Sequence, residues 1–161
     1  MCIEAAICAV LDEPHGDEPT CVAPAVRAFK IALNDAAWSS PNARAKGLRA
    51  VGIAQIGSKG IVDDVVFTQR VAELTIREII PKLFREVIRT PEGLAAADRC
   101  ECEGTARAAG AARAAGWAAQ AAGAAQAAGA AEAAQDSYLL LSADICLRVL
   151  RELKSPGAEW V

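Results

Sequence analysis

The segment that most constrains this chain runs from Thr105 to Gln135 and is almost entirely alanine, reading W-AAQ-AAG-AAQ-AAG-AAE-AAQ from Trp117 onward. Alanine loses no side-chain entropy in a helix and has the highest helix propensity of any residue. The tract is therefore expected to be helical, and as one helix it would span roughly 47 Å. Its chemistry is sparse, because a methyl group neither donates, accepts nor titrates. Gly110, Gly116, Gly123 and Gly129 recur within it, and each costs up to about 1 kcal/mol against alanine in a helix. Close approach by another backbone is the compensation expected. A step of three residues drifts by about 60° against a 3.6-residue turn, so no single apolar face forms. Trp117 follows Arg113 by one turn, a spacing suited to a cation–π contact.

The remaining sequence also reads as helix, with no sustained period-two alternation. Helix one covers about Cys2–Leu11, followed by the polar loop Asp12–Thr20. Helix two covers about Pro24–Ala37, and Val22, Val26, Phe29 and Leu33 form its buried stripe. Ser40 caps a third helix, with Pro41 at its first position, reaching about Ile56. A fourth runs from about Ile61 to Ile79, with Asp63 and Asp64 in its first turn. Pro81 is expected to kink or restart it, and Lys82–Ile88 reads as a central, buried segment. Thr90-Pro91-Glu92 signals another start. The last helix extends from about Ser137 to Lys154. Leu139, Ala143, Cys146, Leu150 and Leu153 form its short heptad seam, and Leu141, Ile145 and Val149 a second apolar face. The expected fold is all-α, a bundle of about five to seven helices including one long Ala/Gly-rich helix. Residues 1–100 and 101–161 are expected to form one folded unit.

With 161 residues, a net charge of −3 and a pI near 5.2, the chain lacks the clustered basic surface that nucleic acid requires. The uncharged stretch Ala114–Ala131 is long enough to test as a membrane span, but alanine gains little in lipid and Gln120 and Gln126 oppose insertion. No leader sequence is visible, so the six cysteines are expected to be reduced thiols in a cytoplasmic protein.

Three constellations could carry chemistry. The loop DEPHGDEPTC holds the sole histidine, and His15, Asp17 and Cys21 are the metal candidates there. Its alternative is a solvated acidic loop with turn-forming Pro and Gly. Cys100 and Cys102 lie two apart, which on a helix points them to nearly opposite sides. On helix two, Arg27, Lys30, Asn34 and Trp38, with Asp35 at the edge, form a basic, amide-bearing and aromatic face. Such a face suits an anion or nucleotide, with Trp38 as a stacking plate. No phosphate loop, nucleophile elbow or H-E-x-x-H motif is present, and no cofactor is required by the sequence.

The segments CIEAA (Cys2–Ala6), HGDEPTC (His15–Cys21), LND (Leu33–Asp35) and WSS (Trp38–Ser40) resemble the N-terminal signature of a family of uncharacterised bacterial and phage-associated proteins. Those proteins also carry a C-terminal alanine-rich tract, so the resemblance covers almost the whole chain. It implies a prokaryotic or phage setting and no activity. It favours His15, Asp17, Cys21, Asn34 and Asp35 as site members. The expected function is a non-enzymatic interaction or assembly protein that forms a homo-oligomer through its Ala/Gly helix. The alternatives are a protein that sequesters a small nucleotide or anion, and a metal-assisted hydrolase using the His15 loop.

Overall fold

Three side chains start three helices, each accepting backbone N–H groups that would otherwise lack partners. Ser40 takes the Ala43 amide, Asp63 takes those of Val65 and Val66, and Thr90 takes that of Gly93. The computed structural model describes the backbone of residues 3–107, 109–110 and 127–161, and the side chains of these except 3, 87, 88 and 127–134. All its regular structure is helical: α1 (Ile3–Val10), α2 (Pro24–Asn34), α3 (Pro41–Ala54), α4 (Asp64–Leu74), α5 (Ile80–Leu83), α6 (Pro91–Glu103), α7 (Ala127–Glu152) and a closing 3₁₀ turn (Pro156–Trp160). Asp63 is thus the cap of α4, one position ahead of the first turn. α2 has no side-chain cap of its own. Its first amides are taken from afar, that of Ala23 by Ser58 and that of Ala25 by Asp64.

Pro81 does not break the rod that α4 begins. Two π-helical turns, Thr75–Ile79 and Phe84–Ile88, flank α5. Proline lacks an N–H and its ring crowds the carbonyl four residues back. Widening the helix relieves that crowding, and the Ile80 amide accordingly bonds to Thr75 O, five residues back. Arg89, at a left-handed φ of 52°, ends the rod. The expectation of a central, buried segment here is not met. Among the described side chains from 75 to 89 only Pro81 and Phe84 are buried. Arg77, Glu78, Lys82, Arg85 and Glu86 ring the rod and must reach solvent or one another. One side packs on Ala96, Ala97 and Cys100 of α6.

The central helix is the second half of α7. Ile145, Cys146, Val149 and Leu150 are all fully buried, packed with Val26 and Leu33 of α2, Leu48 and Val51 of α3, and Phe67 and Val71 of α4. Phe29 meets Phe67 edge to face at 6.2 Å. Both faces read from the sequence are used, the seam through Ala143, Cys146 and Leu150 and the second through Ile145 and Val149. The i,i+4 pair Asp144–Arg148 forms at 2.9 Å. Arg148 also reaches Glu78, and Glu152 pairs with Arg70.

From Ala127, inside the alanine tract, the described part of α7 runs without a break into the core. The tract is helical at its other described end too, where the Ala109 amide bonds to Thr105 O. Arg113, Gly116, Trp117 and Gly123 lie outside the described residues, as does the cation–π contact expected between Arg113 and Trp117. At Gly110, no described atom lies within 4 Å of where a Cβ would stand, so the close approach expected of these glycines is not seen there. No helix among the described residues is long and apolar enough to cross a membrane.

After α7 the chain turns back onto the end of α3. The buried Ser155 donates to Ala54 O, and the Gly157 amide to Ile56 O. A Cβ on Gly157 would stand 2.2 Å from Ile53 O and 2.9 Å from Ile56 O, and both obstacles are backbone. Gly157→Ala is therefore expected to cost about 1–3 kcal/mol by overpacking, read as a lower midpoint in urea unfolding. An unchanged midpoint would show that the closing turn does not dock.

Candidate functional site

The most unusual chemistry lies where α1, α2 and the end of α3 meet. Glu4 and Lys30 are both fully buried and form an ion pair through Glu4 Oε2. Gln55, also fully buried, donates from Nε2 to Glu4 Oε1 at 3.4 Å. Its own Oε1 has no hydrogen-bond partner. Removing two charges from water is expensive, and the loss is recovered only when the pair is close and well hydrogen-bonded. Each charge is carried in by an otherwise apolar helix face. Lys30 lies four residues after Val26 and three before Leu33, and all three are buried. Glu4 shares the buried side of α1 with Ala5, Ile7 and Cys8.

That placement takes Lys30 out of the face expected on α2. Lys30 belongs to the buried stripe rather than opposite it, by the helical spacing just given. Arg27 pairs with Glu18 at 3.0 Å, and Asn34 Nδ2 donates to Asp35. The Trp38 indole N–H donates to Leu33 O at 2.7 Å, and its ring packs on Gly47, where a Cβ would stand only 2.6 Å from it. Trp38 is thus spent on closing the end of α2 against α3 and does not offer a free stacking plate. Next to it, Ser39 donates through its amide and hydroxyl to Asp136, which holds that carboxyl below the usual aspartate range.

The His15 loop folds over the end of α1. His15 and Asp17 line an open hollow of about 350 Å³ with Cys8, Glu13, Glu18 and Thr20. Cys21 is not in its wall. Its backbone carbonyl instead accepts from the Lys59 amide. The three residues expected to bind metal are therefore not brought together. Among the described residues no three His, Cys, Asp or Glu side chains are placed to hold a metal ion. The loop is organised by Glu13, whose carboxylate accepts from the Thr20 amide at 3.0 Å and from the Thr20 hydroxyl. Those bonds hold its pKa below the usual glutamate range. Burial of the Cys8 thiol, followed by the nearby Glu13 charge, pushes the thiol's pKa up, the opposite of what a thiolate nucleophile needs.

The remaining described cysteines are also free thiols. Cys100 is buried beneath Phe84 while Cys102 is exposed, so the pair points to different sides of α6 as its spacing implies. Burial raises the Cys146 pKa to about 12. Comparisons with family models, with curated proteins and with solved structures gave no match, so the functional argument rests on these residues.

The Glu4–Lys30 pair was missed by the sequence reading, although the signal was present: one acid and one base, each on the apolar face of its own helix. Lys30→Met should leave Glu4 buried without its countercharge and cost about 3–5 kcal/mol. The double variant Glu4→Leu/Lys30→Met should recover most of that loss, since buried pairs are often replaceable by apolar groups. Denaturant unfolding of the three proteins tests this, and a double variant no better than Lys30→Met would contradict it. In the loop, the lowered Glu13 pKa means that its stabilisation is complete above the unfolded-state value. It is lost as pH falls through the lower, folded value. Thr20→Val removes the hydroxyl donor but keeps the backbone amide, so it should raise the Glu13 pKa part of the way toward the ordinary range in an NMR titration; a Glu13 curve unmoved by that change would contradict the assignment.

Proposed function

We propose that this chain is a non-enzymatic helical assembly protein that self-associates through its alanine–glycine tract. The observation that carries the reading is the anchoring of the tract's two flanks to the helical body. On the entering side, the Arg77 guanidinium donates to the carbonyls of Glu101, Cys102 and Glu103 at the end of α6, where a cation also suits the helix dipole. On the leaving side, Asp136 accepts from Ser39, and the Tyr138 hydroxyl donates to Glu86. The segment so held offers methyl groups and glycines, whose favourable partner is another close backbone. The small-ligand alternative loses its main support, because Lys30 and Trp38 are used internally. The hydrolase alternative lacks a converging ligand set among the described residues.

Light scattering on the purified protein should give a mass above that of one chain at micromolar concentration. Gly116→Leu with Gly123→Leu should shift the protein toward monomer while leaving the fold around α7 intact, read by the near-UV signal and by continued protection of the Cys146 thiol. A monomer in the unmodified protein would overturn the proposal.

A further inference from the structure

Inside the fold, an ammonium and a side-chain amide converge on the two oxygens of one carboxylate. Lys30 Nζ binds Glu4 Oε2, and Gln55 Nε2 donates to Glu4 Oε1. The donors come from α2 and from the end of α3, both part of the main core, whereas the carboxylate comes from the eight-residue α1. Among the described residues, neither hydrophobic cluster contains a side chain of α1. The receptor also has more hydrogen-bonding capacity than Glu4 fills. Gln55 Oε1 is fully buried and unpartnered, and an ammonium has three donors. A buried acceptor left unmet is costly, and it lies on the same amide that grips the carboxylate.

We propose that Lys30 and Gln55 form an internal carboxylate-binding site which Glu4 fills in cis, and that α1 is a plug displaced by a carboxylate from outside. The ligand class follows from the spare acceptor: a small carboxylate bearing a hydroxyl or amine beside the acid group. Its carboxylate takes the place of Glu4, and its neighbouring donor meets Gln55 Oε1. Among the described side chains of α1, the buried apolar ones are Ala5, Ile7 and Cys8, with no aromatic anchor among them. The apolar end of the helix, at Val10 and Leu11, is already exposed.

The test uses the full chain and glycolate, with acetate and chloride at equal ionic strength as controls. Glu4→Ala empties the receptor, so glycolate should raise its unfolding temperature by several degrees, acetate by less and chloride not at all. Adding Lys30→Met should abolish the glycolate response. In the unmodified protein, glycolate should speed hydrogen exchange of residues 3–10 severalfold without changing that of Ile145–Leu150. Should Glu4→Ala fail to fold, Glu4→Gln and the unmodified protein provide the same exchange readout, with α1 exchanging faster in the variant. The proposal is overturned by a stability gain that is absent, not specific to carboxylates or independent of Lys30. It is equally overturned by α1 exchange that glycolate leaves unchanged, which would make Glu4 a permanent structural partner.

Discussion

Two charges with no access to water govern how the first third of this protein is arranged. Lys30 enters the core on the same stripe of α2 as Val26 and Leu33, and its flexible stem cannot reach solvent from there. A buried ammonium requires a nearby anion, and Glu4 supplies it from α1. Gln55 then ties the same carboxylate to the end of α3. Apolar packing tolerates sliding and repacking with modest loss. A buried charge pair does not, because a shift of a few ångströms leaves both ions unpaired in a poor dielectric. The register of α1 on α2 and α3 is therefore set by electrostatics. The same arrangement removes Lys30 from the surface, so it does not join Arg27 and Asn34 on the outer face of α2.

A second constraint is the proline inside the long rod of α4 and α5. The π turns on either side of Pro81 keep the chain helical where the ring would otherwise break it. Arg77 lies in the first of these turns and reaches three terminal carbonyls of α6. The widened segment thus provides the residue that closes α6, immediately before the alanine tract begins. Gly104, at a φ of 63°, makes the left-handed exit, and a Cβ there would stand 2.4 Å from Arg77 Nε. Glycine is needed at that position both for the backbone turn and for the guanidinium beside it.

Elements whose signals are local were readable from the sequence. The caps at Ser40 and Thr90 depend on a side chain three residues from the amide it accepts. The two apolar faces of α7 follow from spacing alone. The candidate site was less legible. Lysine usually seeks water, which points Lys30 to a polar face, although its spacing from Val26 and Leu33 places it on the apolar stripe. Glu4 stands among apolar residues of its helix, where a single acid signals no partner. Taken together, the two misplaced charges were each other's explanation. For His15, Asp17 and Cys21, closeness in sequence was no guide to convergence, because Cys21 leaves the loop to pair its backbone with Lys59. Pro81 signals a disturbance of the helix, but a widened helix and a kinked one look alike in sequence.

By itself, the sequence determined that this is an all-helical chain, where the helices capped by Ser40 and Thr90 begin, and which faces of α7 face inward. It did so because helix propensity, capping and amphipathic period act over a few residues. Only the tertiary structure decided that α7 rather than the Pro81 segment is central, since that depends on which elements cover each face. It also decided that Lys30 meets Glu4 and that Gln55 is left with an unmet oxygen. Such contacts join residues 26 and 51 positions apart. Their energies come from desolvation in a core that exists only once the helices have packed.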